Sequence, residues 1–134
     1  MRKLFIGLLV FIGIIAIVGT ILGILMIQCF KEQTAVQNME INDINIEVVK
    51  NGRYWGNFTY GNFMYKVEVL VADRRIQDIK IISNRDSEHA KKAEEVLQRV
   101  VNEQSLDVDA VTGATTTSKA LLKATENALN KGIQ

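Results

Sequence analysis

The stretch YKVEVLVADRRIQDIKII, residues 65–82, decides the fold. Tyr65, Val67, Val69 and Val71 share one face of an extended chain, because successive side chains of a strand point to opposite sides. Lys66 and Glu68 take the other face. Ala72-Asp73-Arg74-Arg75 is a polar connection, and Ile76 to Ile82 returns with Ile79 and Ile81 inward against Asp78 and Lys80. Alternation on both sides of a short break predicts an antiparallel hairpin with one face on a core and one in water.

Upstream, Tyr54, Trp55, Phe58, Tyr60 and Phe63, punctuated by Gly56 and Gly61, extend the hairpin to a meander of three or four strands. Asn51-Gly52 marks a turn before it. Ile44, Ile46 and Val48 alternate with Asn45 and Glu47, which reads as a first strand or the entry to one. Downstream, Ser87 stands where it would cap a helix with an apolar stripe of Ala93, Val96, Leu97, Val100 and Val101. A second helix is expected from Thr117 or Ser118 to about Gly132, with Leu121, Leu122, Ala124, Thr125, Ala128 and Leu129 as its apolar band. Strands followed by helices give an α+β domain, a small antiparallel sheet packed against two helices.

The beginning of the chain is a different material. Leu4 to Ile27 carries no charge, and as a helix it extends roughly 36 Å at about 1.5 Å per residue, enough to cross a hydrocarbon core of about 30 Å. No small-residue cleavage pattern follows it, so the reading is a retained signal anchor over residues 1–30. Arg2 and Lys3 precede the run, while Lys31 after it is offset by Glu32. The positive-inside rule then puts the amino terminus in the cytoplasm and the rest of the single-pass protein outside the cell membrane. Gly19 and Gly23 form a G-x-x-x-G pattern able to pack two anchors together. Residues 31–43 read as a polar linker and 44–134 as the folded domain.

Charge narrows the functional classes. The 134 residues hold 16 Lys+Arg and 15 Asp+Glu; Arg2 and Lys3 belong to the anchor's flank, leaving 14 against 15 in the remainder. A near-neutral domain without a basic face gives nucleic acid no electrostatic footing. The single cysteine, Cys29, permits no intrachain disulfide, and one Cys with one His, His89, makes no zinc site.

Chemistry concentrates between the two helices, in DVDAVTGATTTS, residues 107–118. Thr115 to Ser118 offer four hydroxyls in a row. Gly113 allows a backbone conformation that other residues resist, and Ala114 adds almost no bulk, so a large group can approach Thr115. The free N–H groups and positive dipole end of the following helix point back to this spot, a natural seat for phosphate. On capping preference alone Thr115, Thr117 and Ser118 read as helix caps.

The run Asp109-x-x-Thr112-Gly113-Ala114-Thr115 resembles the D-x-x-[ST]-G-A-T flavinylation motif of the FMN-binding domain family, found in subunits of the sodium-pumping NADH:quinone reductase and the Rnf complex. Asn51-Gly52-Arg53-Tyr54-Trp55-Gly56, the Val67-Val69-Val71 strand and the helix before the motif also look like that domain, over roughly residues 45 to 131. The resemblance implies that Thr115 accepts FMN covalently through its phosphate, with Asp109, Thr112, Gly113 and Ala114 as the recognition framework. It implies a separate magnesium-dependent FAD:protein FMN transferase as partner, since a threonine hydroxyl needs a base and His89 lies a helix away. One of Tyr54, Trp55, Phe58 and Tyr60 is then a candidate to stack on the isoalloxazine ring.

The reading is therefore a membrane-anchored, extracytoplasmic flavoprotein acting in electron transfer, an electron carrier rather than a stand-alone enzyme. Its partners are the membrane, the transferase, and a redox protein or quinone-linked membrane dehydrogenase. The rival is a non-enzymatic accessory or sensor module that keeps the fold and binds flavin reversibly or not at all. The chain is much shorter than the subunits of the large redox complexes, which favours a stand-alone carrier.

Overall fold

Two tight turns set up the sheet in the computed structural model, which describes residues 1–134. Strands β1 (Gly52–Tyr60), β2 (Phe63–Ala72) and β3 (Arg75–Ser83) pair antiparallel in the order β1-β2-β3. Gly61, with φ +55, opens the first turn, the position at which a type II′ hairpin needs glycine. The second turn uses Asp73 and Arg74 at φ +54 and +59, both left-handed, as a type I′ turn requires. An arginine in that region is held there by the pairing on either side: Ala72 opposite Arg75, Val71 opposite Ile76.

The alternation read from residues 65–71 holds: Tyr65, Val67, Val69 and Val71 are all buried. On β3 the strict alternation fails. The pairing shifts by a residue between Leu70 and Val71 and again between Lys66 and Val67, so Gln77 and Ile82 are extra residues on β3. These bulges put Ile76 and Ile79 inward although they are three apart, and leave Ile82 exposed.

Both outer strands have their edges blunted by side chains. Lys131 Nζ donates to the Trp55 carbonyl and Asn127 Nδ2 to the Asn57 carbonyl on β1. On β3, the Gln104 amide mimics a neighbouring strand, accepting from Ile76 N–H at 2.7 Å and donating to the Ile76 carbonyl at 2.9 Å. Unpaired edges would otherwise template association with another chain.

One sheet face is covered by helices. The helix expected from Ser87 arrives as two pieces, α2 (Glu88–Ala93) and α3 (Glu95–Glu103). Ser87 does cap the first, its hydroxyl accepting from Ala90 N–H. The break has a visible cause: Asn84 Nδ2 donates both to the Ala90 carbonyl and to Glu94 Oε1, while the Glu94 N–H turns to the Lys91 carbonyl. A side chain inserted into the helical ladder is a standard source of a kink. The last helix, α4 (Thr115–Ile133), starts two to three residues earlier than expected, because the Ala114 carbonyl already accepts the Ser118 N–H.

The segment read as a first strand is not one. Ile46–Val48 forms a single 3-10 turn capped by Asn45, whose side chain accepts from Glu47 N–H. Ile44, Ile46 and Val49 reach the core from this irregular backbone. Their spacing in sequence imitates a strand, but Asn45 competes for the local N–H and turns the chain.

The chain divides into two units, residues 1–33 and 34–134. The first consists of helix α1 (Arg2–Gln37) up to Gln33, apolar and exposed on every side. Its length and composition suit a membrane span, and a signal sequence near an N-terminus has the same character.

Contact between α4 and β1 depends on Gly56. A Cβ there would fall on the Ala124 carbonyl oxygen and stand 2.5 Å from the Ala128 nitrogen, both backbone atoms that cannot swing away. Gly56→Ala is expected to destabilise the domain by about 3 kcal/mol or more, measured by denaturant unfolding of the full chain in detergent. Unchanged stability would mean that helix and strand do not meet this closely.

Candidate functional site

The loop from α3 to α4 is pinned along its length. Leu106 and Val111 are buried. Ala114 N–H donates to the Val111 carbonyl at 2.9 Å, and Gly113 between them has φ +79 while Thr112 keeps a negative φ. That combination is a type II turn, whose third position favours glycine. Ser118 closes the loop on the helix: its buried hydroxyl accepts from Val111 N–H at 3.1 Å and donates to the Ala114 carbonyl at 2.9 Å. Arg99 fastens the other side, donating to the Asp109 carbonyl at 2.9 Å while paired with Glu95 on α3.

These bonds sort the five hydroxyls. Ser118 is committed to the loop, and Thr117 is buried. Thr116 Oγ1 accepts from Gln37 Nε2 at 2.9 Å. Thr112 is exposed at the turn, and Thr115 is half-buried at the first position of α4. Neither of these two hydroxyls is held by the protein.

What distinguishes Thr115 from Thr112 is its setting. No side chain caps α4, and the N–H groups of Thr115, Thr116 and Thr117 have no protein acceptor. Three free donors and the positive end of a 19-residue helix surround the Thr115 backbone. The turn before it is uncrowded: a Cβ built on Gly113 would meet nothing beyond its chain neighbours within 4 Å. Unsatisfied N–H groups at a helix start suit a phosphate, the group that FMN carries.

Of the residues singled out in the sequence, Thr112, Gly113, Ala114 and Thr115 thus form one turn and helix start. Asp109 is exposed two residues before the turn, positioned through its backbone by Arg99.

Sequence reasoning missed a second set of residues altogether. The segment read as a polar linker continues α1 to Gln37 and then runs beside α4. Gln37 meets Thr116 in the first turn, and Asn42 meets Glu126 three turns on. Asn42 donates its backbone N–H to Glu126 Oε2 and its side-chain amide to Oε1, while Lys123 Nζ donates to both oxygens. Asp43 Oδ1 accepts from Leu106 N–H at 2.8 Å, tying this strap to the loop that leads into the motif. Only the apolar residues embedded in it, Val36 and Ile41, signal in the sequence that the stretch is packed.

Comparison with known families agrees with the geometry. An α+β domain presenting an open hydroxyl at an uncapped helix start matches the FMN-binding domain model over residues 60–130, a span that contains the whole of Asp109–Thr115. The chain belongs to the FMN-binding domain family. No curated protein matches it.

Glu126, only 4% exposed, gives the strap a pH dependence. Burial pushes its pKa up, but hydrogen bonds from Lys123 and from the side chain and backbone of Asn42, with the Lys123 charge, outweigh it and hold the carboxyl below its usual value. A depressed folded-state pKa contributes stability in full above the unfolded value, about 4.3, and loses it as pH falls through the folded one. Glu126→Gln is expected to cost about 1.5–3 kcal/mol at pH 7, with the gap to wild type closing below about pH 4. Denaturant unfolding at several pH values measures this; a gap independent of pH contradicts it.

Proposed function

We propose that this protein is a membrane-anchored flavoprotein that carries FMN as a phosphoester on Thr115, outside the cytoplasmic membrane, and passes electrons between redox partners. Family membership supports FMN as the cofactor. The observation that carries the attachment point is the Thr115 hydroxyl, unclaimed by the protein and set among the three free N–H groups of the first turn of α4.

Attachment joins the Thr115 oxygen to the phosphorus of the FMN half of FAD. The pyrophosphate bond breaks, AMP leaves, and the hydroxyl proton goes to a base. No histidine or carboxylate of the chain is bonded to Thr115, so the base belongs to a separate FAD:protein FMN transferase, which supplies the metal as well. In the product, a phosphodiester keeps one negative charge. The free N–H groups of Thr115, Thr116 and Thr117 and the helix dipole stabilise that charge by about 0.3–1 kcal/mol. Retention of the cofactor therefore rests on the covalent bond, not on this small electrostatic gain.

Each neighbour has a separate task in this reading. Gly113 and Ala114 leave room for the transferase and the incoming phosphate, Thr112 and Asp109 present the recognition surface, and Ser118 keeps the loop closed. Bound FMN supplies one- and two-electron redox chemistry. The apolar helix α1 supports an anchor beside a membrane redox partner, a protein or a quinone-linked dehydrogenase, and the flanking charges support the extracytoplasmic orientation.

Co-expression of the full chain with an FAD:protein FMN transferase, followed by intact-mass analysis, tests the attachment. Wild type is expected to gain one FMN less water, and Thr115→Ala to gain nothing. Equal labelling of the variant would place the flavin on another hydroxyl, with Thr112 the first suspect.

A further inference from the structure

The fold sorts the aromatic residues of the meander into two groups at opposite ends of the sheet. Helix α4 runs antiparallel to β1: Gly132 lies against Tyr54 and Val49, Lys131 bonds to Trp55, Gly56 sits under Ala124 and Ala128, and Asn127 bonds to Asn57. From Asn127 back to Thr115 the helix advances about 18 Å. From Asn57 on to Tyr60 the strand advances only about 10 Å. The first turn of α4 is therefore carried to the end of the sheet where Gly61 turns the chain, and Tyr54 and Trp55 are left at the far end.

Phe58, Tyr60 and Phe63 occupy the near end. Strand alternation puts Phe63 on the same face as the buried Tyr65 and Val67, and Phe58 and Tyr60 on the face of Gly56, the side covered by helices. Their cover thins toward the hairpin. Tyr65 is fully buried, Phe58 and Tyr60 are half-buried against the core, and Phe63, paired across from Tyr60, is 40% exposed. The Arg85 guanidinium lies 4.1 Å from the centre of the Phe63 ring. Arg85 takes part in no ion pair, and the neighbouring Asp86 is paired with Lys91 instead.

Resting on the reading of Thr115 as the flavin-bearing residue, we propose that Phe63 and Tyr60 form the shelf on which the isoalloxazine ring lies, with Arg85 as the cation beside it. The ribityl chain spans the gap between the first turn of α4 and the hairpin. A planar, partly apolar ring tethered at the helix start covers the exposed Phe63 face and gains from stacking. The unpaired charge of Arg85 stabilises the negative charge that reduction places on the ring, and so raises the flavin midpoint potential. A guanidinium already seated over the phenyl ring presents a surface that needs little reordering.

Full-length protein flavinylated by co-expression and purified in detergent tests this with three readouts: FMN mass per chain, flavin fluorescence before and after denaturation, and midpoint potential. Wild type is expected to be labelled and quenched relative to its denatured form. Phe63→Ala is expected to keep the label and circular dichroism spectrum while fluorescence rises at least twofold. Arg85→Gln is expected to keep the label and shift the potential to more negative values, with Arg85→Lys restoring most of the shift. Trp55→Ala, at the far end and on the opposite face, changes none of the three. Fully labelled Phe63→Ala and Arg85→Gln with wild-type fluorescence and potential overturn the shelf while leaving attachment at Thr115 intact. An unlabelled wild type overturns both.

Discussion

The Ser118 hydroxyl is the point on which the site depends. Fully buried, it takes the Val111 N–H and gives its own proton to the Ala114 carbonyl, folding the loop back on the first turn of the helix it belongs to. Without that hydroxyl the buried Val111 N–H would lack a partner, at about 1–3 kcal/mol, and the Ala114 carbonyl would keep only the Ser118 N–H. With it, the Gly113 turn is fixed and Thr115 becomes the first residue of α4, its hydroxyl free. The residue that fixes the loop is thus three positions from Thr115, the proposed acceptor.

A second layer fixes the helix itself. Gly56 lets β1 lie directly under α4, and the strap from Gln37 to Asp43 lies along its side, bonded at Thr116, at Glu126 and at the loop through Leu106. Position of the Thr115 oxygen is then set by sheet, strap and loop together. A cofactor tethered by a single bond needs such a frame, because its ring is held only as well as the surface beside it. The strap joins this frame to the chain that continues into α1.

Much of this was legible in the sequence because it rests on local chemistry. The alternation of Tyr65 to Val71 and the stripe from Ala93 to Val101 are periodic, and periodicity reports which face is buried. The run from Asp109 to Thr115 is a dense motif, and the family match covers it. What was not legible depends on partners distant in sequence. Asn84 breaks the helix at Glu94 by reaching from the end of β3, and nothing in the helical stripe announces it. Asn45 converts an apparent strand into a 3-10 turn, although Ile44, Ile46 and Val48 alternate as a strand would. The strap read as an unremarkable polar spacer because its polar residues, Gln37, Asn42 and Asp43, look solvated until their acceptors and donors on α4 and the loop are known. Likewise Thr115 to Ser118 look equivalent in sequence, and only their hydrogen bonds tell them apart.

Fragmentation mass spectrometry of the flavin-bearing peptide tests the central claim most directly. Trypsin releases residues 100–119 from the flavinylated, denatured protein, a peptide that holds Thr112 and all four consecutive hydroxyl residues. The account requires the FMN phosphate to remain with this peptide and its fragment series to step by the added mass at Thr115. Flavin released by denaturation, or a mass step at Thr112 or Thr116, would contradict it.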